Sequence, residues 1–234
     1  MTAAEAFDRI ACDYDSLWTD SNVGRAQREQ VWRVADRYFL PGERVLDLGC
    51  GTGEDTRHLL ERRVRVRAFD ASAAMVGIAQ ARGVSAQVLE IEQISSIHGS
   101  WDGALSNFGA LNCVRDLGSV AASLARLIRP GGHALVCLVN RTCVWEPGKP
   151  RRSGLHSLGL FVDYPTARSI ARSFAPSFEL IESRAIGLFV PPSRIRLGRR
   201  AARFADRADR FFAGLPGLRA LGDHRLFLFR RRSQ

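Results

Sequence analysis

The first 140 residues switch repeatedly between two spacings of apolar positions, one helical and one strand-like. Two helical segments are predicted before residue 40. The second, RAQREQVWRVADRYFL, sets Val31, Val34, Ala35 and Tyr38 on one apolar face, and Pro41–Gly42 stops it. A short strand, Arg44–Leu48, then runs directly into Gly49-Cys50-Gly51-Thr52-Gly53. Thr52–Arg62 reads as the following helix, with Leu59 and Leu60 available for packing. In the next strand, Val64–Phe69, Arg63, Arg65 and Arg67 alternate with Val64, Val66 and Ala68, which gives it one polar face; it ends at Asp70. Ser72 suits the cap of a helix carrying Met75, Val76, Ile78 and Ala79, and Gly83 suits its end. Strands are predicted at Ala86–Leu89 and Ala104–Phe108, the latter with Asn107 near its carboxyl end. Asp116 precedes a helix through Val120, Leu124, Leu127 and Ile128, which Pro130-Gly131-Gly132 breaks before the strand Ala134–Val139.

This strand–helix succession predicts an α/β fold with a parallel sheet, because parallel strands need crossover connections. The last third is less regular. Residues 141–165 are too broken for another simple crossover. A helix at Pro165–Ala175, a strand around Phe178–Ala185 and a final strand at His224–Arg230 are expected. From residue 199, Ala201, Phe204, Ala208 and Phe211 trace a helix face. The reading is one core, residues 41–234, with substrate-side insertions around 141–165 and 191–222, preceded by a covering segment, 1–40. No internal repeat or linker interrupts it.

Composition narrows the class. With 46% hydrophobic residues in 234, a continuous core is expected. No apolar run approaches the roughly 20 residues that cross a bilayer as a helix, and the first residues do not read as a secretory signal. A cytoplasmic enzyme without integral membrane association is therefore expected. Cys12, Cys50, Cys113, Cys137 and Cys143 form neither a CxxC pair nor a cluster with histidine, so they read as ordinary thiols and no metal is expected. Charge is uneven: residues 147–234 hold 18 Lys/Arg against 6 Asp/Glu, although the whole chain is only +10. A basic end can attract nucleic acid, anionic lipid or an acidic small substrate, or be a solvated arginine-rich surface. Without an RNA-binding motif, nucleic acid is disfavoured. Nothing in the sequence identifies an oligomeric state.

VLDLGCGTG is the most specific constellation. Gly49 and Gly51 allow close backbone approach or unusual dihedrals between strand and helix, and Gly53 permits tight packing as the helix begins. Asp70 follows the second strand, where dinucleotide-binding folds place a carboxylate that accepts ribose hydroxyl hydrogen bonds. NAD or FAD is thus the runner-up ligand, though the glycine spacing differs from Gly-x-Gly-x-x-Gly. A P-loop is disfavoured, since GCGTGEDT lacks the phosphate-binding lysine.

VLDLGCGTG and AFDASAAMVGIAQARG together resemble the first two motifs of class I S-adenosylmethionine-dependent methyltransferases of small-molecule type. The resemblance covers residues 40–140 and is looser outside them. It implies a Rossmann-like sandwich whose mostly parallel seven-stranded sheet has an antiparallel terminal strand. It implies S-adenosylmethionine as cofactor and S-adenosylhomocysteine as product. The glycine turn Gly49, Cys50, Gly51 and Gly53 would lie beneath the methionine and ribose, and Asp70 would bind the ribose hydroxyls. Asp47 would organise the turn and reach the methionyl amino end. Ala71 and Met75 would lie near the adenosine. Glu90 would approach the adenine amino group, with Ile91 against the ring; a solvent-facing Glu90 is the alternative. Asn107 and Phe108, in SNFGALNCV, become methionine-side contacts.

The acceptor side is less defined. IACDYDSLWTD resembles the family's N-terminal cover, so Tyr14 would close over the methionine portion and Trp18 would add a substrate wall, unless both merely pack the first helix. Asn112 is a candidate substrate-orienting group. Among possible bases, His156 in the irregular segment is preferred to His133 and His224, which begin strands. Trp145 and Phe161 can surround an apolar acceptor, and Arg151 and Arg152 can face its negative group or solvent. The expected function is methyl transfer to an oxygen or nitrogen of a small, aromatic or otherwise metabolite-like acceptor. RNA or protein methylation through the basic third, and a non-enzymatic cofactor-binding regulator, are the alternatives.

Overall fold

The computed structural model describes residues 1–148, 150–155 and 159–233. Strands β1 (Arg44–Leu48), β2 (Arg65–Asp70), β3 (Ala86–Val88), β4 (Trp101–Ser106) and β5 (Ile128–Val139) are parallel. Beyond a two-stranded hairpin, β6 (Gly154–Leu155) with β7 (Phe161–Val162), the chain adds β8 (Phe178–Ile186) and β9 (His224–Arg231). The seven-stranded sheet runs β3-β2-β1-β4-β5-β9-β8, and β9 is antiparallel to both neighbours. This is the mostly parallel sheet with an antiparallel terminal strand that the sequence predicts. Its order reverses between β1 and β4, and a crevice opens at such a switch point beyond the carboxyl ends of the strands.

Helices cover both faces. They are α1 (Ala3–Ile10), α2 (Asn22–Tyr38), α3 (Glu54–Glu61), α4 (Ala73–Ala81), α5 (Leu117–Leu127), α6 (Ala167–Phe174) and α7 (Arg199–Phe212). Strand alternation sorts the core. Val45, Leu105, Leu135, Leu226 and Leu228 pack with Val31, Val34 and Ala35 of α2. Leu46, Leu48, Val136, Phe227 and Phe229 pack on the opposite face with α5 and with Ile170 and Phe174 of α6. The α2 helix is therefore part of the core layer, while α1 and a π-type turn at Asp15–Thr19 lie outside it. Ser72 and Asp116 cap α4 and α5 through backbone N–H groups of the first turn. None of the described helices is long and apolar enough to cross a membrane.

One local expectation is overturned. Pro130-Gly131-Gly132 does not lie before β5 but inside its irregular start, where the register against β4 shifts between Trp101 and Gly103. Gly132 is needed there, because a Cβ would come 2.4 Å from the Asp102 carbonyl oxygen. On α7 the two phenylalanines of the traced apolar face point away from the protein. Phe204 and Phe211 are 77% and 78% exposed, whereas Ala202, Asp206 and Asp209 are buried. What faces α7 is polar: Gln30 donates to Asp209 at 2.8 Å, and Arg33 pairs with Asp206 at 2.5 Å. The backbone N–H groups of Phe189 and Val190 also donate to Asp209. A carboxylate on that face satisfies donors that a phenyl ring would strand.

Asp209→Ala leaves these three donors without their acceptor. A loss of about 3 kcal/mol of stability is expected, read from urea unfolding, and a loss below about 1 kcal/mol would show that α7 docks by other means.

Candidate functional site

At the end of β1 the chain turns through Gly49 (φ +77), Gly51 (φ +54) and Gly53 (φ +86), conformations that favour glycine. A Cβ at Gly49 would lie 2.3 Å from Cβ of Ala110, whereas at Gly51 it would meet nothing within 4 Å. Gly51 thus leaves open space toward a cavity that it lines. Asp70, ending β2, fixes the turn: its carboxylate accepts the N–H of Gly51 at 2.8 Å and of Ser72 at 2.9 Å. Burial raises its pKa, and these two hydrogen bonds only partly oppose that.

This first cavity, about 350 Å³, brings together Gly49, Gly51, Asp70, Ala71 and Met75. Glu90, Ile91, Asn107, Phe108 and Tyr14 complete the sequence-predicted set on its walls. Three other predicted residues lie beneath it. Gly53 opens α3 and packs close to Ala79 and Val84. Cys50 is buried with Ala68, Val76 and Ala79, and burial raises its thiol pKa. Asp47 is buried and accepts the Thr56 hydroxyl at 2.5 Å. Burial, reinforced by the neighbouring Asp55, pushes its pKa up to about 7.

A network absent from the sequence reading ties these parts together. Asp55, in the first turn of α3, accepts from Arg28 at 2.6 Å, Trp32 at 2.7 Å and Asn107 at 3.1 Å. Arg28 is buried; burial opposes its charge, but Asp55 outweighs that and its pKa is raised. The guanidinium lies 4.8 Å from the ring centre of Phe108. Phe108 has φ +48, a conformation unusual for a residue with a side chain, and Oδ1 of Asn107 accepts its backbone N–H. One signal was available: Arg28 and Trp32 stand one turn apart on α2 beside the buried Val31, and Asp55 follows the glycine turn.

Two carboxylates hold the N-terminal segment over the cavity. Asp8 accepts the Ser72 hydroxyl at 2.5 Å and the Ala74 N–H at 3.0 Å, and the Ser72 bond chiefly lowers its pKa. Asp15 accepts from Thr52 at 2.8 Å and Arg82 at 2.6 Å. Between them Tyr14 stacks tilted on Trp18, ring centres 4.9 Å apart, and burial raises its pKa.

A second cavity of about 400 Å³ adjoins the first, sharing Phe7, Tyr14, Phe108, Cys113 and Leu160 as walls. Trp18 and Asn112 line it, as do Arg28, Glu146, Arg151 and His224. Arg151 is clamped by Glu146 and Asp223, each at 2.8 Å; its hydrogen bonds hold Glu146 down to about 2. His224 has its pKa lowered by burial, against the pull of Asp223. Among the described residues, three buried polar atoms of the lining side chains have no hydrogen-bond partner: Oγ1 of Thr19, Nε of Arg28 and Nδ1 of His224, the last 3.4 Å from a carboxylate oxygen of Asp223.

Other candidates fall elsewhere. The Asn112 amide is committed to the backbone of Val139 and the carbonyl of Asp163, so it shapes the wall. Trp145 donates to the carbonyls of Gly187 and Leu188 and lines neither cavity. Phe161 lines the first cavity rather than the second. Arg152 is exposed, and His133, at the start of β5, packs on Tyr38. His156 lies outside the described residues.

Residues 21–181 match the family described as a methyltransferase domain. A malonyl-[acyl-carrier protein] O-methyltransferase of Serratia marcescens is 34% identical over 137 residues, 58% of this chain and 51% of that protein. A demethylmenaquinone methyltransferase of Mycolicibacterium paratuberculosis is 32% identical over 137 residues, 57% of this chain and 58% of the other. The chain thus aligns with little more than half of each of these relatives. A solved 1,6-didemethyltoxoflavin-N1-methyltransferase of Burkholderia thailandensis with S-adenosylhomocysteine bound shares the fold (TM-score 0.60, 22% identity, 99% of this chain and 87% of that one).

Asp47 supplies a pH test. Its folded pKa of about 7 stands above the ordinary 3.8, so its contribution to stability is full below about pH 4 and is lost as pH rises through 7. Asp47→Asn removes this titration. The melting temperature of the variant is expected to gain on the native protein between pH 5 and pH 8, and an unchanged difference would contradict the assignment.

Proposed function

Because the chain belongs to the family of S-adenosylmethionine-dependent methyltransferases, we propose that it transfers a methyl group to an oxygen or nitrogen of a small acceptor held in the second cavity. The observation that carries this reading is the set of three buried polar atoms without a hydrogen-bond partner among the walls of a chamber that also offers aromatic and aliphatic surface. Buried polar groups are ordinarily paired, and a small ligand with a few polar atoms supplies the missing partners. The cavity's place beyond Tyr14 and Phe108 supports the same reading, since these residues also line the first cavity.

The first cavity fits the cofactor by its donor set. Asp70 keeps lone pairs beyond its two backbone bonds for a pair of ribose hydroxyls. Ala71, Met75 and Ile91 offer an apolar slot for a purine, with Glu90 at its edge. Gly49 and Gly51 bring backbone close to the ribose and methionine, toward which Tyr14 and Asn107 also face. Asp47, Cys50 and Gly53 support the turn from below. When bound, S-adenosylmethionine supplies an electrophilic methyl group.

The chain itself contributes position and exclusion of water. Tyr14 and Trp18 cover the acceptor, and Nε of Arg28 holds an electron-rich group against Phe108. His224, kept neutral by burial, accepts the proton that an acceptor hydroxyl or ammonium group releases. The relatives' names differ in acceptor, so the chemistry of this cavity, rather than likeness, selects the substrate class.

Asp70→Ala is expected to weaken S-adenosylhomocysteine binding at least about ten-fold by calorimetry, the loss of a charge-assisted hydrogen bond; unchanged affinity would remove its ribose role. Labelled-methyl transfer should be screened across amines, phenols, carboxylates and RNA, with mass analysis. Transfer to a small molecule, slowed in His224→Gln while S-adenosylhomocysteine affinity holds, is expected. Transfer confined to RNA would overturn the reading.

A further inference from the structure

The α7 helix is built inside out. Its carboxylates, Asp206 and Asp209, face the protein and are consumed there by Arg33, Gln30 and two backbone amides. Phe204 and Phe211, seven residues apart and so on one stripe, project outward at 77% and 78% exposure. Phe212, the last residue of the helix, and Leu215 just beyond it extend the apolar surface, each a little under half exposed. Beside this stripe stand Arg199, Arg200, Arg203 and Arg207, all exposed and none paired with a carboxylate among the described residues. The outward face of α7 therefore carries phenyl rings and positive charge, with no negative charge.

We propose that this face docks the protein on an anionic lipid surface. Large rings on one stripe with arginines beside them are the composition of helices that lie in a membrane interface. There the rings enter the boundary of the acyl chains, the arginine stems follow them, and the guanidinium groups stay among anionic headgroups. Charge selects this occupant over a second copy of the chain, which would bring arginine against arginine. The attachment is peripheral, as the absence of a spanning helix among the described residues requires. The segment Pro192–Arg194, which leads into α7, also lines the second cavity, so docking would bring one rim of that cavity toward the lipid.

The test is co-sedimentation of the full chain with vesicles of phosphatidylcholine alone or mixed equally with phosphatidylglycerol. Binding to the mixed vesicles only, weakened by high salt, is expected. The double variant Phe204→Ser/Phe211→Ser should reduce it at least about ten-fold while keeping the native melting temperature and S-adenosylhomocysteine affinity, since both rings lie outside the core. Should that variant misfold, Arg200→Gln/Arg207→Gln, which changes only exposed side chains, takes its place with the same expected loss. Equal binding by the variants, no binding to either vesicle, or a concentration-dependent dimer in sedimentation velocity that the phenylalanine variant abolishes would each overturn the proposal.

Discussion

Arg28, Trp32 and Asn107 reach the carboxylate of Asp55 from α2 and from the end of β4, and the cavities take their shape from that meeting. A buried carboxylate is tolerated only when its lone pairs are filled and a cation stands beside it. Filling them fixes how far α2 sits from the start of α3, and thus where the glycine turn points. It also places the Arg28 guanidinium over Phe108, whose left-handed backbone is held by Asn107. The wall shared by the two cavities is therefore a consequence of satisfying one charge. Removing a single partner would leave the charge buried and under-satisfied, a larger penalty than the loss of one contact.

The parts of the molecule that were legible in the sequence are those decided locally. Val45, Leu46 and Leu48 declare a buried strand through their spacing alone. Gly49, Gly51 and Gly53 declare a turn because positive φ is costly for other residues, and Ser72 and Asp116 cap helices within their own first turns. The parts that were not legible depend on what arrives from elsewhere. The apolar spacing of Ala201, Phe204, Ala208 and Phe211 is real, yet the side that packs is chosen by Gln30 and Arg33, some 170 residues earlier. Asn112 looks like a free amide in the sequence, but Val139 and Asp163 occupy it. The described part of residues 141–165 has no usable period because an ion-pair clamp on Arg151 and a small apolar cluster of Leu160 and Val162 with Ala6, rather than one continuous face, organise it.

The charge imbalance of the last third also gains a structural meaning. Several of its arginines are internal fasteners: Arg151 joins Glu146 to Asp223, and Arg231 donates to the carbonyls of Ala125 and Ser177. Arg199, Arg200, Arg203 and Arg207 of α7 are left facing outward, since the helix spends its acids on its inner side. A net charge read along the sequence mixes these populations. Only the second is available to a partner.

The position of β9 has a bearing on how the protein comes into being. Although it follows every other described strand in sequence, it lies between β5 and β8 rather than at an edge. During synthesis β8 emerges with no strand of the sheet to join, and β5 keeps an open side until residues 224–231 arrive. The same strand delivers His224 to the second cavity. Closure of the sheet and completion of that cavity are thus one late event. A chain arrested before then holds the residues of the glycine turn and Asp70 but lacks one wall of the chamber beyond them.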